Sequence, residues 1–349
     1  MDKVVDITFG IPVYNCERYI EQCINSICKN IEGGVNYEII CVDDNSDDDS
    51  AMIVEKLALR NNRIVLIKNQ ENKGVSYSRN TALQVACGRY VWFVDSDDMI
   101  LNKCVMPFIS VADENGLDWI VGNYLSIDEK ESSPISFGKM EFHLVKNNKE
   151  VIDNVARDPN GNVCNGVCCG IYRREFLIKN NIYFNTRLTY GEDIMFNFDV
   201  TLYTEVMAKF NCACYNYRFN EKSTTKRRDK EHLIKRYSKF LSLYDVLTEY
   251  ILSGRYNPRG KCNNLNTLYL KRHYIQQNIA LLLAAIGDLK YTKNELKKLK
   301  IKKIYPYSAR KECFYENSNK IKAVLLYLLP IEPMMWLLTI LCDVRNKLL

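Results

Sequence analysis

Over its first 122 residues the chain alternates short apolar runs with stretches whose apolar positions recur every three to four residues. The runs 4–11, 37–42, 64–67, 90–94 and 119–121 are rich in β-branched and aromatic residues and predict strands. Between the first two, Tyr19, Ile20, Cys23, Ile24, Ile27 and Cys28 follow the spacing of a helix with one buried face, and Asn15 is its expected N-cap. Further helices are predicted over residues 49–61 and 75–87, the second stopped by Gly88 just past its end. Strands alternating with helices build a largely parallel sheet covered on both faces, since each helical crossover carries the chain back to the edge where the last strand began. Residues 123–163 lose the periodicity and read as a polar excursion of loop and short strand. From about Glu231 long helical stretches follow without strands, at 232–252 and 265–286.

In open sheets of this kind ligands bind beyond the carboxyl ends of the strands. The first strand runs into Pro12-Val13-Tyr14-Asn15, the second into Asp43-Asp44-Asn45-Ser46 and the fourth into Asp95-Ser96-Asp97-Asp98. Carboxylates at i and i+2 point to opposite faces of a regular strand, so Asp95 and Asp97 serve one ligand only if the chain turns there. Mg²⁺ or Mn²⁺ is the economical partner, because a hard cation takes few carboxylates and completes its shell with water and phosphate oxygens. An isolated acidic turn reads as solvated surface. Here Asp43 and Asp44 end a second strand at the same edge, and like charges gathered there repel unless a cation or a ligand's donors offset them. No G-x-G-x-x-G follows the first strand and no G-x-x-x-x-G-K-[ST] occurs, so phosphates need the metal. A nucleoside diphosphate held through a cation by Asp95 and Asp97, with its base near Asp43 or Asp44, fits the pattern.

The 349 residues are 47% hydrophobic, 26% charged and 11% aromatic, which excludes a disordered or fibrous chain. At about 150 residues per domain this length predicts two domains. The net charge of +6 hides an asymmetry. Residues 1–220 hold 22 Lys and Arg against 31 Asp and Glu, a balance of −9, and residues 221–349 hold 26 against 11, a balance of +15. The fourteen cysteines do not make a secreted disulfide scaffold, because the chain is long and its first residues are charged without an apolar leader. Cys23, Cys28, Cys41 and Cys87 fall at apolar positions and read as small buried hydrophobes. Cys164, Cys168, Cys169, Cys212 and Cys214 lack zinc spacing. A reducing cytoplasm is the expectation.

The ordered set Gly10-Ile11-Pro12-Val13-Tyr14-Asn15, Val42-Asp43-Asp44-Asn45-Ser46, Asn72-Lys73-Gly74-Val75-Ser76 with Arg79-Asn80, and Phe93-Val94-Asp95-Ser96-Asp97-Asp98 resembles the family 2 glycosyltransferases of the GT-A fold. Gly170 to Leu177 and Gly191-Glu192-Asp193 are similar to the segments that present the acceptor-side pair in bacterial members. The resemblance covers residues 4–225. It implies an α/β fold with a Rossmann-like, mostly parallel sheet flanked by helices over residues 1–225, with a donor half at 1–122 and an acceptor half at 123–225. A mainly helical, basic region would follow at 226–349. By resemblance, Pro12, Tyr14, Asn15, Asp43 and Asp44 take the uracil and ribose of a UDP-sugar. Asn72, Gly74, Arg79 and Asn80 close over the donor, Asp97 is the firmest metal ligand, and Asp95 with Ser96 reaches the ribose or the metal. Asp193 is implied as the base with Glu192 beside it. Arg218 and Ser223 are implied as diphosphate contacts, and His232 could complete the metal shell. Asn45 stands where the family has Gly, a tolerable change because Asn enters left-handed backbone readily.

Inverting sugar transfer needs one carboxylate to take the acceptor proton, while a metal stabilises the leaving diphosphate. The expected activity is therefore transfer of one sugar from a UDP-sugar to a hydroxyl of a glycan or lipid-linked glycan. The absence of Gln-x-x-Arg-Trp argues against processive synthesis by the same resemblance. A metal-dependent nucleotidyltransferase and a non-catalytic carbohydrate- or membrane-binding adaptor are the alternatives. In the tail, seven lysines fall between Lys290 and Lys303, and residues 323–342 are apolar but broken by Pro330, Glu332 and Pro333. That interruption favours an in-plane contact of residues 320–349 with an anionic membrane surface over a spanning helix. Packing on the catalytic domain or a dimer contact is the other use of this apolar side. The lysines are not interleaved with aromatics, so nucleic acid is not an expected partner. The expected location is cytoplasmic, peripheral at the inner face of the cell membrane.

Overall fold

Strand β1 (Ile7–Val13) lies between β2 (Tyr37–Asp43) and β4 (Tyr90–Phe93) and runs parallel to both. β3 (Ile64–Lys68) adds parallel to β2. The structure is a computed structural model and describes residues 4–31, 34–101, 103–125, 140–156 and 166–218, with Val246 alone beyond them. Past β4 the sheet becomes mixed. β8 (Gly170–Arg173) inserts antiparallel between β4 and β6 (Trp119–Leu125), and β9 (Met207–Asn216) runs parallel to β6. β5 (Met99–Ile100) and β7 (Phe142–Val145) pair antiparallel with β9. The order is β3-β2-β1-β4-β8-β6-β9-β5, with β7 on β9. The predicted parallel sheet thus describes the first four strands, while the later half depends on long-range pairings that no local periodicity encodes.

Helices α1 (Ile20–Asn30), α2 (Ser50–Arg60) and α4 (Val105–Asn115) cover one face, and α3 (Val75–Val85), α5 (Asn148–Ala156), α6 (Arg174–Lys179) and α7 (Glu192–Tyr203) the other. Alternation along β2 shows why both faces are apolar. Ile39 and Cys41 enter the core under α1 and α2, and Ile40 and Val42 enter the core under α3 and α7. Trp92 sits at the centre of the first core, stacked between Phe9 at 6.0 Å and Phe108 at 5.7 Å.

Four local expectations change. α1 begins at Ile20, so Asn15 is not its cap and stands in a loop with φ of 48°. α3 ends at Val85, and Gly88 lies beyond it against β1, where an added Cβ would come within 2.5 Å of the Thr8 backbone nitrogen. Its lack of a side chain serves close approach rather than helix termination. Cys87 is exposed, because the helix has ended before it, whereas Cys23 and Cys41 are buried as read. α5 is a helix inside the stretch read as irregular, with Val151, Ile152 and Val155 fully buried.

By its backbone contacts the chain divides into units Met1–Ser223 and Thr224–Leu349. The expectations for the basic tail, Ser223 and His232 lie outside the described residues. Among the described residues no helix is long and apolar enough to cross a membrane.

Candidate active site

Because β1, β2 and β4 are parallel, their carboxyl ends open at one edge of the sheet. Asp44 N donates to Val13 O at 2.8 Å and Val94 N to Gly10 O at 3.0 Å, so the three exits stay in register. The first two loops interlock. Asn15 N donates to Ser46 Oγ (3.1 Å), Asp47 N donates to Asn15 Oδ1 (2.8 Å), and Ser46 Oγ donates onward to Asp43 Oδ1 (2.6 Å). Asn15 and Asn45 both hold positive φ, at 48° and 61°, which Asn tolerates better than most side chains. Pro12 is still in β1 opposite Val42, and Tyr14 projects beyond the strand with 48% of its surface open.

Asp43 and Asp44 have separate partners. Asp44 is 3% exposed and accepts from Asn69 Nδ2 (2.7 Å), Lys73 N (2.9 Å) and Gly74 N (2.7 Å). Helix α3 has Gly74 at its N-cap with φ of 88° and no side-chain cap of its own. The Asp44 carboxylate supplies the missing acceptor and the negative charge that a helix N-terminus favours. It thereby fixes the segment carrying exposed Asn72 and Gly74 beside the Asp43 loop.

The chain turns after β4, with Asp98 N donating to Asp95 O at 3.1 Å. Asp95 N donates to the Tyr215 hydroxyl (3.0 Å) at the end of β9. Asp95, Ser96 and Asp97 keep part of their surface open, while Asp98 is 1% exposed and its Oδ1 accepts from Arg218 N at 2.8 Å. Burial, then the charges of Asp95 and Asp97, push the Asp98 carboxyl up to about 8, against the pull of the Arg218 N–H and Tyr215. Arg218 is buried, its guanidinium 5.0 Å from the Tyr19 ring.

Such crowding of carboxylates fits a bound divalent cation. Among the described residues no group of three or more His, Cys, Asp or Glu could hold a metal by itself. The chain would offer Asp97 and the remaining oxygen of Asp95, and a hard cation of the Mg²⁺ or Mn²⁺ type accepts water and phosphate oxygens in its other positions.

The first Asp95 oxygen is already committed. Arg79, on α3, donates from Nη2 to Asp95 Oδ1 at 2.7 Å and from Nη1 to Glu192 Oε1 at 3.0 Å, with its side chain 5% exposed. Burial disfavours the charge, but Asp95 and Glu192 outweigh it and hold the guanidinium ionised far above neutral pH. Beneath lies the Phe184 ring, 5.1 Å from the guanidinium. Asn80 donates to Phe184 O and accepts from Phe184 N, both at 2.8 Å. Glu192 and Asp193 open α7 behind Gly191, whose φ is 73°. Asp193 Oδ1 accepts from Ile194 N at 2.8 Å. Asp193 retains some open surface, yet burial first and Glu192 next raise it to about 7, against the lowering effect of Arg79.

The structure therefore gathers Asp95, Arg79, Glu192 and Asp193 in one cluster and Asn15, Asp43 and Ser46 in another, with Asp44 joining Asn69, Lys73 and Gly74. Sequence reasoning missed Phe184, which lies in a loop whose pairing with Asn80 spans 104 positions.

Residues 8–180 match the family described as Glycosyl transferase family 2. An uncharacterized glycosyltransferase, EpsJ of Bacillus subtilis, is 28% identical over 84% of this chain and 83% of its own length. A poly(ribitol-phosphate) beta-glucosyltransferase of Bacillus spizizenii is 26% identical over 77% of this chain, which spans 40% of that longer protein. A crystal structure of Staphylococcus aureus TarS in complex with UDP shares the fold, with a TM-score of 0.51 and 22% identity over 84% of this chain and 82% of that one. With the four motifs joined at one sheet edge and the family match running across them, the chain belongs to glycosyl transferase family 2 and is a glycosyltransferase.

Proposed function

We propose that the enzyme transfers one sugar from a UDP-sugar to a hydroxyl of a glycan or lipid-linked glycan, with inversion at the anomeric carbon. The observation that carries this reading is the single cluster in which Arg79 joins Asp95 to Glu192, with Asp193 next in the chain. A UDP donor is supported by the TarS complexes with UDP and UDP-GlcNAc, which have the same fold. A hydroxylated polymer as acceptor is supported by the poly(ribitol-phosphate) glycosyltransferases among the relatives.

In this mechanism Asp43, Pro12, Tyr14 and Asn15 take the uracil and ribose, and Asp44 acts by fixing Asn72 and Gly74 over the donor. Ser96, Arg218 and Ser223 belong to the diphosphate side. Asp97 and Asp95 would hold Mn²⁺ or Mg²⁺, which supplies Lewis acidity to the departing diphosphate. Asp193 takes the proton of the acceptor hydroxyl as its oxygen attacks the anomeric carbon, and a carboxyl raised to about 7 is matched to that work near neutral pH. Glu192 spends an oxygen on Arg79, which leaves the base role to its neighbour. The basic tail would hold the enzyme on an anionic membrane surface at the inner face of the cell membrane. The test is a panel of UDP-sugars with Mn²⁺ and hydroxylated acceptors, reading UDP release and the product's anomeric configuration. Release of UDP with an inverted product is the expected result. No release from any donor, or a retained configuration, overturns the reading.

A further inference from the structure

We infer that Arg79 is a positioning residue that ties the donor-side turn at Asp95 to the acceptor-side helix α7 through Glu192, and so sets the position of Asp193. The inference rests on the proposed transfer reaction and assigns Arg79 a role other than donor contact. Its side chain is almost fully buried and each terminal nitrogen donates to a carboxylate, at 2.7 Å and 3.0 Å. Its Nε is buried without a hydrogen-bond partner. Its two charged contacts run to protein carboxylates on different elements.

The strut is itself braced. Phe184 packs under the guanidinium, and the next residue in the chain, Asn80, clamps the Phe184 backbone by two reciprocal bonds. Arg79 and Asn80 thus act together from one helix. The first reaches both carboxylates and the second fixes the platform on which it lies. Gly191 begins α7 in a left-handed conformation and α7 has no side-chain cap at its N-terminus, so the ion pair to Glu192 is a tether on its first turn. Asp193 follows Glu192 directly, and a small shift of that turn moves the base relative to the anomeric carbon. Misplacement by about 1 Å costs on the order of 100-fold in rate.

The experiment uses the full chain with a UDP-sugar and acceptor that the wild type turns over, and measures kcat, donor KM and melting temperature. Arg79→Ala is expected to lower kcat about 100-fold with donor KM within about threefold. Arg79→Lys, which can satisfy one carboxylate at a time, should recover about tenfold of that loss. Glu192→Gln alone should cost about tenfold, yet less than about threefold on the Arg79→Ala background, since the two act as one unit. Should Arg79→Ala fail to fold, Arg79→Lys, Glu192→Gln and their double variant make the same comparison. A donor KM raised tenfold or more at unchanged kcat, or losses that multiply in the double variant, overturns the inference while leaving the transfer reaction standing. A wild type that releases UDP from no donor removes the proposed function and this inference with it.

Discussion

Asp193 illustrates how a single residue acquires a pH response from its neighbours. Burial and the adjacent Glu192 lift it from 3.8 to about 7. With the deprotonated form as base, kcat should climb between about pH 5 and pH 8 through one proton with a midpoint near 7, and Asp193→Asn should lower kcat by about 1,000-fold and abolish the limb. A flat profile in the wild type would remove Asp193 from the role. The same shift has a sign for stability. The folded form holds this proton more tightly than the unfolded chain, so the contribution is full below about pH 4 and lost as pH rises through about 7. Asn45 offers a backbone test of the same kind. At φ of 61°, replacement by Gly should change unfolding free energy by less than about 0.5 kcal/mol, whereas Val should cost about 1–2 kcal/mol in urea titration.

At the scale of elements, α3 depends on a carboxylate borrowed from the end of β2. Removing it by Asp44→Ala leaves the backbone N–H groups of Lys73 and Gly74 without their acceptor, and the expected loss is about 3 kcal/mol in denaturant unfolding, with weaker UDP binding. A stability unchanged within about 0.5 kcal/mol would mean that water replaces the carboxylate. The Asp43-Asp44 pair was legible in the sequence as two carboxylates at one strand end, but their division was not, because it depends on Lys73 and Gly74 folding back over 30 positions. The strands β1 to β4 were legible for a local reason, since each is a short apolar run; β1, β2 and β4 are apolar because both their faces are covered, and the edge strand β3 stays apolar although Val65 is exposed. α5 was not, because Val151, Ile152 and Val155 form too short a stripe amid Asn148, Lys149, Glu150, Asp153 and Asn154. The antiparallel insertion of β8 was equally hidden, as it is decided by pairing with Val91 and Ile120 far away in the chain.

Across the whole molecule the charge split between residues 1–220 and 221–349 separates two kinds of work. The acidic part contains the carboxylates of the site, and the lysines from Lys290 to Lys303 belong to the proposed attachment. A truncated chain ending at residue 289 should lose most of its sedimentation with vesicles containing anionic lipid, while neutral vesicles bind neither form. Equal sedimentation of both forms would detach the tail from that role. The clasp between Asn80 and Phe184 has a consequence for anyone exchanging parts between relatives to obtain a new specificity. It joins a residue of the first half to a loop of the second, beside the ion pair that Arg79 makes with Glu192 across the same divide. The two halves are therefore not interchangeable cassettes. A transplanted second half would need to bring a Phe184 equivalent in the same register and an acid at the position of Glu192, or the hybrid would leave Arg79 Nη1 and the Asn80 side chain without their partners.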